Sequence, residues 1–418
     1  MSVAVSGWAP MVSRMAWGRA SDARRGSAHV GRVVCVAVVL VAAVVGAGAG
    51  GPRARATALG VGESTDPVTG RSSARGAKSR PPASGRAPVT RLTIEVNGDL
   101  LIHAPVFNRA RALAGGRGYD FAPMLRRVRP LIRGADLAFC HVETPMGPGP
   151  PRGYPLFNTP PALARAIRET GWDACDTASN HSLDGGQTGI DATGRALDRV
   201  GVRHTGSFSS PRSQRRLLIL RRGGVKVAFL AYTVSTNGLR PPHRWSLNLA
   251  DPRRILRDAR RARRAGAQVV LVNVHWGTEF RHAPDRLQLA LARRLAGSGL
   301  ITAIVGQHVH VVQPIRRIFG RWVVFGEGNL LSNQTAACCP AATQDGMLVF
   351  LHVRVSGTRA SVTRIDYVPT WVRHPDFTVL PIQQALAGGD ADPRALRASR
   401  QRTVRVVGRT RFVRPIPR

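Results

Sequence analysis

From Arg91 to Val372, apolar runs of strand length alternate with stretches of helical spacing. In RLTIEV the apolar side chains Leu92, Ile94 and Val96 fall on every second residue, which predicts a strand, and Asn97-Gly98 predicts a turn after it. The runs DLAFCHV, ACDTA, VKVAFLAYT, QVVLVNV, TAIVG and WVVFG read the same way. Between them, FAPMLRRVRPLIRGA, PALARAIRETG, GIDATGRALDRVG, PRRILRDARRARRAG and PDRLQLALARRLAGSG carry apolar residues at three- and four-residue spacing and predict helices. Strand and helix in alternation predict an α/β domain over residues 91–372. After about Gly346 the pattern becomes strand after strand, MLVFLHVRV and ASVTRIDYV, which predicts antiparallel strands completing the sheets. Residues 373–418 show no usable period and read as a basic C-terminal tail.

Upstream, the pattern changes. Residues 33–49, VVCVAVVLVAAVVGAGA, are an uninterrupted apolar run behind a basic leader, residues 1–32, that carries Arg14, Arg19, Arg24, Arg25 and Arg32. This predicts an export signal. Its length is close to the minimum for a spanning helix, and Ala47-Gly48-Ala49 and Ala54-Arg55-Ala56 fit small-x-small cleavage, so a cleaved and a membrane-anchored form both remain open. Either delivers the remainder outside the cytoplasm, secreted or held at the cell envelope. Residues 50–90, rich in Gly, Arg, Ser, Pro and Ala, read as a disordered linker.

Composition adds two constraints. With 43% hydrophobic residues, the 418-residue chain has ordinary globular character. The net charge of +37 is almost all arginine, since Lys78 and Lys226 are the only lysines. The charge is spread over leader, helices and tail, and no zinc finger, RNP-like strand or P-loop accompanies it, so nucleic acid is not expected as a partner. Attraction to an anionic polymer or lipid is compatible with it. Cys140, Cys175, Cys338 and Cys339 lie beyond the signal; their connectivity is not readable, and Cys140 and Cys175 sit in apolar runs as small buried hydrophobes would.

The chemistry gathers where the apolar runs stop. RLTIEVNGD ends in Asp99, LAFCHVE in Glu143, and DTASNHSLDGG carries Asn180, His181 and Asp184. VVLVNVHWGTE carries His275 and Glu279, and ITAIVGQHVH carries His308 and His310. Ligands of an open α/β sheet bind beyond the carboxyl ends of its strands, so these segments are expected to converge on one cleft. Oxygen and nitrogen donors without thiolate suit Mn, Fe or Zn. Asp99, Glu143, Asn180, His275, His308 and His310 are the expected ligands of one or two divalent ions, with Glu143 as the bridge; His103, His141 and Glu279 are additional candidates. His181, oriented by Asp184, is the expected proton donor to a leaving oxygen.

The order Gly98-Asp99, Glu143, Ser179-Asn180-His181 with Asp184, His275-Trp276-Gly277 with Glu279, Gly306-x-His308-x-His310 and Gly328-Asn329 resembles the bacterial capsule-synthesis CapA family of poly-γ-glutamate biosynthesis. That family is related to the calcineurin-like metallophosphoesterases. The resemblance covers roughly Arg91 to Val372. It implies a layered α/β/β/α sandwich with mixed sheets, a two-metal cleft, a hydrolase or transferase of the metallophosphoesterase type, and a role beside the capsule synthesis machinery. The implied substrate is an anionic surface polymer or phosphoester. The rival reading is a non-catalytic factor that binds or assembles such a polymer. Three departures stand out: His141 occupies a position that is usually Asn in the family, His103 is the nearest candidate for a second histidine after the first Asp, and Gly326 to Asn329 read GEGN where the family commonly has a serine or leucine before the Gly-Asn pair.

Overall fold

The computed structural model describes residues 88–416. The leader (1–32), the apolar run (33–49) and the linker as far as residue 87 lie outside the described residues, as do residues 417 and 418. Among the described residues no helix is long and apolar enough to cross a membrane.

The first strands, β1 (Val89–Leu100), β2 (Leu137–Val142), β3 (Ala174–Asp176) and β4 (Arg203–Thr205), lie side by side and parallel. The chain then builds a second sheet from β5 (Leu218–Arg222), β6 (Val225–Thr233), β7 (Val269–His275), β8 (Ala303–Gln307), β9 (Ile315–Ile318) and β10 (Arg321–Val324), in the order β5-β6-β7-β8-β10-β9. It returns to the first sheet with β11 (Asn329–Leu331), β12 (Asp345–Ser356), β13 (Arg359–Arg373), β14 (Thr378–Pro381) and β15 (Val413–Pro415). The first sheet then runs β14-β13-β12-β1-β2-β3-β4, with β11 beside β1 and β15 beside β13. Both sheets are mixed: β6, β7, β8 and β10 are parallel, while β12 and β13 pair antiparallel, as their sequence pattern predicts.

Helices α1 (Ala104–Leu113), α2 (Ala122–Leu125), α3 (Arg129–Arg133), α4 (Ala162–Thr170) and α5 (Gly186–Arg199) follow the strands of the first sheet. A short α6 (Pro211–Arg215) leads into the second sheet, which α7 (Pro252–Arg264) and α8 (Arg286–Ala296) cover. Helices α9 (Ile382–Gly388) and α10 (Pro393–Val407) close the chain. One predicted helix is broken: FAPMLRRVRPLIRGA forms α2 and α3 with a turn between them, because Pro130 has no amide hydrogen to extend the first turn.

Strand alternation sorts side chains into separate cores. Along β6, Val227 and Phe229 point between the sheets, while Ala228 and Leu230 point out beneath α7 and α8. Along β2, Leu137 and Phe139 point between the sheets, and Ala138, Cys140 and Val142 point out towards α1–α5. Phe139 stacks on Phe229 across the interior, ring centroids 4.3 Å apart. Helix, sheet, sheet and helix therefore form four layers around three apolar seams.

The tail needs correction. Residues 373–416 carry β14, α9, α10 and β15; Leu380, Ile382, Ala385 and Leu396 make an apolar cluster of their own. Arg402 on α10 grips buried Asp345 through Nε and Nη2, at 2.7 and 2.8 Å. Arginines at nearly every turn of α10 blurred its apolar stripe, which is why the period was not visible. Likewise β1 starts at Val89, inside the expected linker, and it runs through Asn97-Gly98 to Leu100 without turning.

Candidate metal centre

The inward face of each parallel strand is apolar at its start and polar at its carboxyl end. On β2, Leu137 and Phe139 give way to His141 and then Glu143; on β7, Val269 and Leu271 give way to Asn273 and His275; on β8, Ala303 and Val305 give way to Gln307. On β3, Ala174 gives way to Asp176. Side chains two apart on a strand share a face, so these polar groups stack onto the end of the inter-sheet core.

β1 reaches the same face by a different device. Val96 pairs with Phe139 and Asp99 pairs with His141, so three steps on β1 oppose two on β2. This one-residue bulge reverses the alternation, puts Leu100 in the outer core and turns Asp99 inward. Gly98 makes the bulge feasible, since a Cβ there would collide with the carbonyl of Gly328, which accepts the Asp99 amide at 3.0 Å. Across four strands, Asn329, Asp99, His141 and Asp176 then stand in one register row.

The second sheet contributes from the other side. His308 and His310 follow β8 with φ of 93° and 57°, a left-handed backbone uncommon for residues with a Cβ. His310 Nδ1 lies 3.1 Å from both Asp99 Oδ2 and Asn329 Oδ1, and its Nε2 lies 3.8 Å from Glu143 Oε1. His275 Nε2 is 2.9 Å from Asn180 Oδ1 and 3.9 Å from Glu143 Oε1. The His141 Nε2 atom is 3.7 Å from Asp99 Oδ1.

Asp99, Glu143, Asn180, His141, His275, His308 and His310 are all buried and all meet in this cleft. Donor atoms within 4.8 Å of one another form four overlapping sets: Asp99, His141 and His275; Glu143, His275 and His308; Asp99, Glu143 and His310; Glu279, His308 and His310. Asp99, Glu143, His275, His308 and His310 each belong to two sets, so the four sets form one continuous cluster. His141 belongs among the central donors. Glu279 is exposed at the rim beside His308 and His310. His103 falls outside these sets: its Nδ1 faces the Leu101 carbonyl and accepts from the Asn333 amide at 3.2 Å.

The residues present fit a divalent cation. Both carboxylate oxygens of Glu143, Nε2 of His141 and Nδ1 of His275 and His308 are buried and have no hydrogen-bond partner. Unsatisfied groups of this kind are costly unless a cation neutralises them. The titration of these groups follows from the same crowding. Burial and the neighbouring Asp99 push the Glu143 carboxyl up to about 7. Burial and then His310 push His308 down to about 3, and burial and His308 hold His275 well below the ordinary imidazole value. Burial opposes protonation of His141 and His310 too, but Asp176 raises the former to about 9 and Glu143 with Asp99 raises the latter to about 10.

Next to these donors, His181 Nδ1 contacts Asp184 Oδ2 at 2.8 Å, and the same oxygen accepts the Phe157 amide at 2.8 Å. Phe157 stands edge-on to His181, ring centroids 4.7 Å apart. These contacts fix the orientation of the His181 ring.

Four polar residues of the cleft were not singled out from sequence. Asp176 Oδ2 holds His141 Nδ1 at 3.0 Å, Asn273 donates to the same Asp176 oxygen, and Gln307 Nε2 bridges Asn273 Oδ1 and Glu327 Oε2 at 2.9 and 2.8 Å. Burial raises the Glu327 carboxyl to about 8. The available signal was parity: Asp176, Asn273 and Gln307 continue the inward face of apolar strands.

Cys140 and Cys175 are bonded, which replaces the reading as two free buried thiols; they are register partners on adjacent strands, Cα atoms 4.5 Å apart.

Four layers with a buried histidine–carboxylate cluster at the parallel strand ends define an α/β/β/α protein with a divalent-metal type of site. The profile of the family described as bacterial capsule synthesis protein PGA_cap matches residues 93–334, and the chain belongs to that family. It is 25% identical over 293 residues to the capsule biosynthesis protein CapA of Bacillus anthracis, covering 67% of this chain and 67% of that one. It is 30% identical over 210 residues to the PGA biosynthesis protein CapA of Bacillus subtilis, covering 48% and 53%. The chain thus spans two thirds of the first relative's length and about half of the second's. Among solved structures, the calcineurin-like phosphoesterase YfkN from Bacillus subtilis aligns over 75% of this chain and 100% of that one at 14% identity and a TM-score of 0.45. The 5'-nucleotidase precursor from Thermus thermophilus aligns over 76% and 59%, at 14% identity and a TM-score of 0.43.

Proposed function

We propose that this protein is a metal-dependent hydrolase or transferase that acts outside the cytoplasm on an anionic surface polymer, of the poly-γ-glutamate or phosphoester kind, during capsule synthesis. The observation that carries the reading is the meeting of Asp99, His141, Glu143, His275, His308 and His310 around unpartnered donor atoms, with the His181–Asp184 pair beside them. Family membership supplies the polymer, and the apolar run at residues 33–49 supplies the route outward and a means of holding the protein at the envelope.

Asp99, Glu143, His141, His275, His308 and His310, with Asn180 Oδ1, would hold one or two ions of Mn, Fe or Zn. When bound, such ions polarise a phosphoryl or carboxyl oxygen and acidify water. The chain's own residues do the rest. His181 presents Nε2 towards the substrate, Asp184 keeps Nδ1 occupied, and the ring delivers a proton to the departing oxygen. Phe157, clipped in place through Asp184, walls the cleft beside that ring and excludes water.

The test is hydrolysis of bis-p-nitrophenyl phosphate and of a γ-glutamyl anilide by manganese-loaded protein. His181→Ala is expected to lose roughly 10²–10⁴-fold in rate with unchanged metal content. Equal rates in wild type and variant would remove the catalytic assignment. The arginine excess favours one second reading, a polymer-binding or assembly factor without turnover; it predicts salt-sensitive polymer binding that survives replacement of His308 and His310.

A further inference from the structure

At the amino-terminal ends of the same strands, away from the histidine cluster, lies an open cleft of about 860 Å³. It is bounded by the start of β10, the loops entering β7 and β8, and the turn between β12 and β13. Its charged lining is Arg263, Arg321, Arg354 and Arg359; Thr358 and Ser361 add hydroxyls, and no acidic residue contributes. Arginine ion pairs among the described residues lie elsewhere, at Arg127, Arg165, Arg261, Arg364, Arg373 and Arg402.

We infer that this cleft binds an extended polyanion, a chain whose repeating oxyanions are carboxylates or phosphates, at a site separate from the metal centre. Four guanidinium groups facing one concavity repel one another unless an anion lies between them. Burial, and then the adjacent Arg321, hold Arg263 below the ordinary guanidinium value, as that crowding requires.

The carboxyl end of α7 points its terminal carbonyls towards this region, and a bare helix end would disfavour an anion. Those carbonyls are covered: Arg261 O, Ala262 O and Arg263 O accept the amides of Ala265, Ala267 and Gly266, and Lys226 Nζ donates to Ala265 O at 2.8 Å. Arg263 itself donates to the loops entering β8 and β7, to Leu300 O at 2.8 Å and to Gln268 O at 2.6 Å. Arg263 is thereby a fixed wall, and Arg321, Arg354 and Arg359 are the groups able to reach a ligand, each as a planar fork matched to an oxyanion.

A soluble chain suits the cleft better than a bilayer. The surface is concave, and none of the exposed large apolar side chains that would enter a membrane is part of its lining. The inference goes beyond the proposed hydrolysis and needs no turnover at the cluster.

The experiment measures binding of fluorescent poly-L-glutamate and of polyphosphate to the full-length protein in EDTA at roughly 50 mM salt. Arg321→Gln/Arg354→Gln/Arg359→Gln is expected to weaken at least one polyanion by about tenfold or more, and the one that responds identifies carboxylate or phosphate as the recognised group. Arg126→Gln/Arg129→Gln/Arg168→Gln, which removes the same charge from exposed positions in the turn after α2 and on α3 and α4, is expected to stay within about twofold. The double variant Arg354→Gln/Arg359→Gln, confined to an exposed hairpin, repeats the loss without a folding risk. Equal weakening by both triple variants, no binding by wild type, or a loss seen only with phosphatidylglycerol vesicles would each overturn the inference. Because metal is absent throughout, failure here leaves the hydrolase reading untouched, and the reverse holds.

Discussion

Asp176 Oδ2 lies 3.0 Å from Nδ1 of His141, and this contact turns Nε2 of the ring towards Asp99. Both side chains are buried, and they are register partners on β3 and β2. A carboxylate in this place fixes the tautomer and raises the basicity of a ligating imidazole. Asp176→Asn is therefore expected to weaken manganese or zinc binding by roughly 10–100-fold, read by calorimetric titration. Unchanged affinity would mean that His141 is not a ligand.

Metal affinity should climb with pH. His141 and His310, raised to about 9 and about 10, hold protons at neutral pH in the metal-free protein, and Glu143 at about 7 is partly protonated. Coordination requires the deprotonated forms, so the apparent affinity increases from pH 6 towards 9 and binding releases protons. Titrations in buffers of different ionisation enthalpy measure that release. A flat profile over this range contradicts the assignment of both rings as ligands.

The Cys140–Cys175 bond ties β2 to β3 across 35 residues, beneath the strand ends that carry His141, Glu143 and Asp176. Replacing both by alanine is expected to cost about 2–4 kcal/mol in urea unfolding. Reductant should lower the stability of the wild type towards that of the variant and leave the variant unchanged.

Arg402 holds Asp345 with two hydrogen bonds, and its side chain is 34% exposed against 1% for Asp345. Arg402→Met leaves a buried carboxylate unpaired and is expected to cost about 3 kcal/mol, with part recovered in Asp345→Asn/Arg402→Met. Denaturant midpoints with unchanged m-values would show this. A neutral single variant would mean that α10 contributes little to holding β12.

Much of this molecule was written in local patterns. Strands β6, β7 and β8, helices α4, α5, α7 and α8, and the placing of donors such as Glu143 and His275 at strand ends follow from period and punctuation, because neighbours along a chain decide which face a side chain takes. The Cys140–Cys175 bond, the bulge that turns Asp99 inward, the packing of α10 and the service of Asp176 to His141 follow from no local pattern. Each depends on which strand lies beside which, and strand order is settled by non-local pairing. His103 and His141 show the difference: both are histidines near a strand end, and only tertiary packing aimed one into the cluster and the other at the Asn333 amide. Sequence alone determined which residues had the chemistry, and the joining of two sheets determined which of them share a cleft, because side-chain distances across a core are not encoded in spacing along the chain.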